Sequence, residues 1–186
     1  MAFCAVLVFG TTANAEDFLA RGRELQAAGK PAEAITQLTQ AIQQTPDSAE
    51  AFYLRGRAQI DAGKNPKAVA DMSEAIRLRP DYPEAVFWRG VAQSLLGEQA
   101  KALVDFTLAA KLKPDWAEPR LYCGISQFVL DQKEAAVASL TESLRLNPNL
   151  AATYYWRGRA EGSLHHPEQA LADYTDSVRV DPQNTR

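Results

Sequence analysis

The chain has 186 residues, 46% of them hydrophobic and 23% charged, with a formal net charge of −3; this is the composition of an ordinary folded domain and argues against intrinsic disorder. Basic and acidic residues are interspersed with no polybasic run, so nothing in the charge pattern attracts nucleic acid or anionic lipid. Two cysteines, Cys4 and Cys123, are too few for a disulfide framework, and the core is expected from helix packing alone.

At the N-terminus, residues 2–10 form an uncharged apolar run, and Ala13-Asn14-Ala15 immediately ahead of Glu16 has the small-residue spacing of a cleavage site. Residues 1–15 therefore read as a signal peptide, with export to a bacterial periplasm or cell envelope as the expectation and a cytoplasmic location as the alternative. No basic residue follows Met1 and the apolar run is short, as if the true start codon lay upstream. Crossing a membrane needs about 20 apolar residues, so no integral span is expected here.

From residue 15 onward the chain is periodic. Gly22, Gly56, Gly90, Gly124 and Gly158 stand 34 residues apart; Ala34, Ala68, Ala102, Ala136 and Ala170 keep the same step, as do Pro46, Pro80, Pro114, Pro148 and Pro182. The units are 15–48, 49–82, 83–116, 117–150 and 151–184, with 185–186 as a tail. A period of this size is the mark of a solenoid of stacked units. Each unit divides into two amphipathic stretches, clearest in the second, where Ala49 to Ala62 and Pro66 to Leu78 flank Gly63-Lys64-Asn65. Gly29, Gly63 and Gly97 stand where a helix closes in the left-handed region, and Pro31, Pro66 and Pro167 near the first turn of the helix that follows. Glycine inside a helix costs about 1 kcal/mol against alanine, so the Gly22 column requires a packing reason.

These Gly, Ala and Pro columns resemble the tetratricopeptide repeat family over residues 15–184. The resemblance implies an all-α, right-handed superhelical solenoid of antiparallel helix pairs that binds a protein or peptide partner in a concave groove and carries no cofactor. The chain departs from the family in placing Arg21, Arg55, Arg89 and Arg157 ahead of the glycine, with Cys123 as the exception. Sixteen residues later stand Asp71, Asp105 and Asp173, and the unit that has Cys123 in place of arginine has Ser139 in place of aspartate. Charges that appear and vanish together predict the structural ion pairs Arg55–Asp71, Arg89–Asp105 and Arg157–Asp173 between the two helices of a unit, rather than an anion site. Arg21 faces Gln37 by the same spacing.

In the family the first helix of each unit lines the groove. Its candidate columns here are Leu19, Tyr53, Phe87, Leu121, Tyr155; the neighbouring Trp88; and Arg23, Arg57, Val91, Ile125, Arg159. Phe128 and Ile60 add apolar area. The surface is then apolar at units three and four and basic at both flanks, suited to an extended or helical peptide with apolar anchors. Leu54, Trp88 and Tyr122 read equally as core between units, whereas the register of the Tyr53 and Phe87 column points away from the second helix. The carboxylate clamp of chaperone-binding members is absent, with Leu19, Arg23, Leu54, Glu84 and Trp88 in its places. Two function classes follow: an exported adaptor with a peptide in its groove, or an architectural, self-associating module or fragment of a longer repeat protein, with no peptide ligand.

No catalytic or metal-binding pattern appears. His165, His166 and Glu168, with Glu161 one turn earlier, fall on the turn of the fifth unit, where a solvated loop is the better reading. Cys123, beside Gly124, reads as an inert buried thiol. Leu171, Val178 and Val180 lie on a last helix with no following unit over them, which suggests a homo-oligomer formed through that helix.

Overall fold

A computed structural model describes residues 14–183, so the apolar run and most of the leader fall outside the described residues. The described chain is a row of ten helices. These are α1 (Ala15–Ala27), α2 (Pro31–Gln44), α3 (Ala49–Asp61), α4 (Asn65–Leu78), α5 (Pro83–Leu95), α6 (Gln99–Leu112), α7 (Ala117–Val129), α8 (Lys133–Leu146), α9 (Ala151–Ser163) and α10 (Pro167–Val180). Each packs on its neighbours in sequence, and the first helices of successive units also touch, α1 on α3, α3 on α5 and α7 on α9. A row whose alternate members touch is the inner side of a curve, so the odd-numbered helices form the concave face.

Local chemistry explains the boundaries. Asn14 accepts from the Asp17 amide while the Asp17 carboxylate accepts from the Asn14 amide, a capping box at the head of α1. Every first helix ends in the same way: the amide two residues past the C-cap reaches back five residues, as from Lys30 to the Leu25 carbonyl (2.9 Å) and from His166 to the Glu161 carbonyl (3.0 Å). That closure needs a left-handed residue. Gly29, Gly63 and Gly97 supply it at φ of 69°, 69° and 79°, whereas Asp131 and His165 are forced there at 60° and 62°.

The glycine column has the packing reason its position demanded. A Cβ on Gly124 would stand 2.5 Å from Leu140 Cγ, and one on Gly90 2.8 Å from the Phe106 ring, so the first helix lies directly on the large residue of the second. Leu38, Met72, Phe106 and Leu140 fill that place with no exposure, beneath the fully buried alanines Ala34, Ala68, Ala102 and Ala136. At the centre, Phe87 sits among Phe106, Trp88, Trp116 and Tyr122 with ring centroids 4.8 to 5.6 Å apart. Edge-on and tilted pairs of this kind add about 1 kcal/mol each beyond the area they bury.

Candidate functional site

The concave face is built from positions five, six and nine of the first helices. Arg57 stands over Trp88, its guanidinium carbon 3.6 Å from the ring centroid, and donates to the Tyr53 hydroxyl at 3.3 Å. Tyr53 in turn packs on Tyr82, at 5.0 Å between centroids, and Arg79 covers the latter ring at 4.4 Å. Burial, reinforced by the neighbouring Tyr53, pushes the Tyr82 phenol up to about 12. At the far end Arg159 stands over three rings, Trp156 at 4.6 Å, Phe128 at 5.0 Å and Tyr155 at 5.9 Å. Arginine is thus held on this face by aromatic quadrupoles, and the Nε of Arg57 is buried there without a hydrogen-bond partner.

The expected site residues separate into two groups. Tyr53, Arg57, Trp88, Val91, Ile125, Leu19 and Arg159 are partly accessible, and Tyr155 is exposed. Phe87 and Leu121 are 4% and 6% exposed and belong to the core. The register assigned to Phe87 is corrected accordingly: its ring meets Phe106 on the second helix of its own unit at 5.6 Å. Leu121 likewise clusters with Ala136 and Leu140 of its own unit. Arg23 does not present an open charge, because its guanidinium pairs with Glu50 of the next unit. Glu50 belongs to a column, Glu16, Glu50, Glu84 and Glu118, that gives this face an acidic edge; its 34-residue spacing was the available signal. Glu84 likewise meets Lys113 at 3.4 Å.

Beneath this face runs a polar ladder. Arg89 donates from Nε and Nη2 to the two oxygens of Asp105, both at 2.7 Å, and the same fork joins Arg55 to Asp71 and Arg157 to Asp173. The third donor crosses to the preceding unit: Arg55 Nη1 to Thr39 (3.2 Å), Arg89 Nη1 to Ser73 (3.4 Å) and Arg157 Nη1 to Thr141 (3.2 Å). One guanidinium therefore ties three helices. In the fourth unit the rung is Cys123 Sγ against Thr107 Oγ1 at 3.6 Å, and Ser139 donates to Gln127 at 2.7 Å. Burial raises the Cys123 thiol above its ordinary range. Arg21 does not meet Gln37; it pairs with the exposed Glu24 at 2.8 Å.

His166 Nδ1 lies 2.7 Å from Glu161, a surface contact on the fifth turn. Among the described residues no group of three or more His, Cys, Asp or Glu is placed to hold a metal ion. No helix among them is long and apolar enough to cross a membrane.

Antiparallel helix pairs in a curved row, with an aromatic and basic inner face, define a helical-repeat scaffold for protein interactions. The sequence matches the tetratricopeptide repeat family at residues 19–83 and 53–119, together more than half of the chain, and the protein belongs to that family. The fold is similar to that of MamA from Desulfovibrio magneticus RS-1, with a TM-score of 0.83 at 17% identity over 92% of this chain and 97% of that one. It is also similar to YrrB, described as a TPR protein with an unusual peptide-binding site, with a TM-score of 0.76 at 17% identity over 92% and 88% of the two chains. The thermophilic TPR protein TTC0263 of Thermus thermophilus aligns with a TM-score of 0.72 at 23% identity over 91% and 93%. No curated protein matches the sequence.

Proposed function

We propose that the protein is a non-enzymatic adaptor that holds a peptide segment of a partner protein along its concave face. The observation that carries this is the pair of aromatic-seated arginines, Arg57 on Trp88 and Tyr53, and Arg159 on Phe128, Tyr155 and Trp156. They flank the partly buried apolar Val91 and Ile125. A ligand of matching chemistry is an extended or helical segment with one or two apolar anchors between carboxylates or backbone carbonyls. That a protein of similar fold has a peptide-binding site supports the reading. Export accompanies it on the strength of the apolar run and Ala13-Asn14-Ala15.

The test is capture from native envelope extract by the wild-type protein beside a Tyr53→Ala, Arg57→Ala variant. Phe87 is unsuitable for this purpose because it is core. A protein retained by the wild type and lost by a variant of unchanged melting temperature supports the adaptor; identical retention by both baits defeats it. A second reading, an architectural module that associates with itself through α10, is favoured by the exposure of Leu171 (68%) and Val178 (44%) on that helix.

A further inference from the structure

Within the solenoid, the outer surface of a second helix is repeatedly covered by the first helix of the next unit. Leu38, Met72, Phe106 and Leu140 are fully buried, and Ala58 closes on the cluster that contains Leu38 as Ala160 does on that of Leu140. Tyr174 occupies this column in α10 and is 37% exposed, between the exposed Leu171 and Val178. The ladder is incomplete at the same place. Thr39, Ser73 and Thr141 each accept from an arginine sixteen residues ahead. Thr175, their equivalent, donates to the Leu171 carbonyl at 2.8 Å, and no guanidinium reaches it among the described residues. At the opposite end stands the other half: Arg21 has the column's guanidinium without the column's hydroxyl, and its side chain is 59% exposed.

The geometry points to head-to-tail stacking of two copies of this chain, α1 of one lying on α10 of the other as an internal junction would. In the 34-residue register, Arg21 of the second copy falls where the donor to Thr175 belongs. Glu24 falls in the column of Ala58, Ala92, Ser126 and Ala160, the residues that close over the preceding second helix. A carboxylate there, opposite Leu, Met or Phe, would be desolvated with Arg21 alone beside it. Tyr174 alone in its column carries a hydroxyl that can donate to it, and Arg21 stays beside Glu24. Ala20 replaces the Leu54, Trp88, Tyr122 and Trp156 of the other units, leaving room for the tyrosine ring. Each departure at one end is answered at the other. A two-fold contact of α10 with itself would instead bring two Thr175 acceptors together and leave Arg21 unused. The inference rests on the second reading above and adds the surface that α10 engages. Such a contact is heterologous and does not close, so copies add into an open stack.

The test is sedimentation velocity of the full chain from low to high micromolar concentration, with an α1-blocked variant (Arg21→Glu) and an α10-blocked variant (Leu171→Glu, Val178→Glu). All three positions are exposed, and unchanged thermal melts verify the fold of each variant. The expected result is a wild-type mass that climbs past the dimer, monomers for each variant alone, and a one-to-one dimer with nothing larger when the variants are mixed. Tyr174→Phe, which keeps the ring against Gly158, should weaken association roughly tenfold through loss of one charge-assisted hydrogen bond. An α1-blocked variant that still dimerises overturns head-to-tail stacking while leaving self-association through α10 intact. A wild type that is monomeric throughout overturns both.

Discussion

The Arg89–Asp105 rung lends itself to a double-mutant experiment whose control is already written in the chain. Asp105 is buried, its side chain only 5% exposed, and the fork from Arg89 satisfies both its oxygens. Replacing Arg89 by cysteine strands that carboxylate, and stranding one member of a buried pair costs about 3–5 kcal/mol. Solvent reaches one edge of the guanidinium site, where Arg89 is 23% exposed, so the low end applies: about 3 kcal/mol, or roughly a hundredfold in the unfolding equilibrium. Adding Asp105→Ser recreates the Cys123 and Ser139 pair of the fourth unit and should restore most of the loss, leaving about 1 kcal/mol. Arg21→Ala removes the exposed member of the same column and should change stability by less than about 0.5 kcal/mol. Urea titrations followed by far-ultraviolet circular dichroism give all of these values. A cost below about 1 kcal/mol for Arg89→Cys, or a double variant no more stable than the single, would refute the claim that the ladder is set by the buried carboxylate.

The glycine column should respond unevenly. Gly124→Ala drives a Cβ against the branch point of a fully buried leucine and should cost about 1–2 kcal/mol, whereas Gly56→Ala meets the terminal methyl of Met72 at 3.0 Å, which can swing aside, and should fall within about 0.5 kcal/mol of wild type by thermal melts. His165→Gly relieves a left-handed side chain and should stabilise by about 0.5–1 kcal/mol, read from the shift in urea midpoint. Tyr82, raised to about 12 from 10.0, favours the folded state fully below pH 10; that contribution is lost as pH rises from 10 towards 12, and Tyr82→Phe should flatten the decline in a stability profile over that window. In a Cys4→Ser background, Cys123 should resist a thiol reagent at neutral pH in the native protein and react at once in denaturant.

Much of this architecture was legible in advance because its determinants are local. Glycine, alanine and proline columns mark the places where two helices of one unit touch or part, and a sixteen-residue offset between arginine and aspartate is a distance within one hairpin. What depended on the angle between units was not legible. The cross-unit bonds to Thr39, Ser73 and Thr141 are also sixteen residues long, but they run backward across a junction that no single unit encodes. Phe87 and Leu121 read as groove residues from the register of one helix taken alone, yet they pack against the second helix of their own unit, on Phe106 and in the cluster of Ala136 and Leu140. Arg57 on Trp88 joins consecutive units, so periodicity could name both residues without showing that they meet.

The missing rung at Cys123 has a thermal consequence. Ahead of α3, α5 and α9 a guanidinium Nη1 crosses to a hydroxyl of the preceding unit, while the third and fourth units are joined by the packing of Tyr122 on Phe87 and Phe106 beside two neutral contacts, Cys123 with Thr107 and Ser126 with Gln99. Apolar burial loses strength on cooling, and among the described residues no guanidinium bond crosses this seam to share the load. The seam between α6 and α7 is therefore the one whose hold on its neighbours fades first in the cold, and amide exchange at low temperature should find the solenoid opening there, into a three-unit and a two-unit segment.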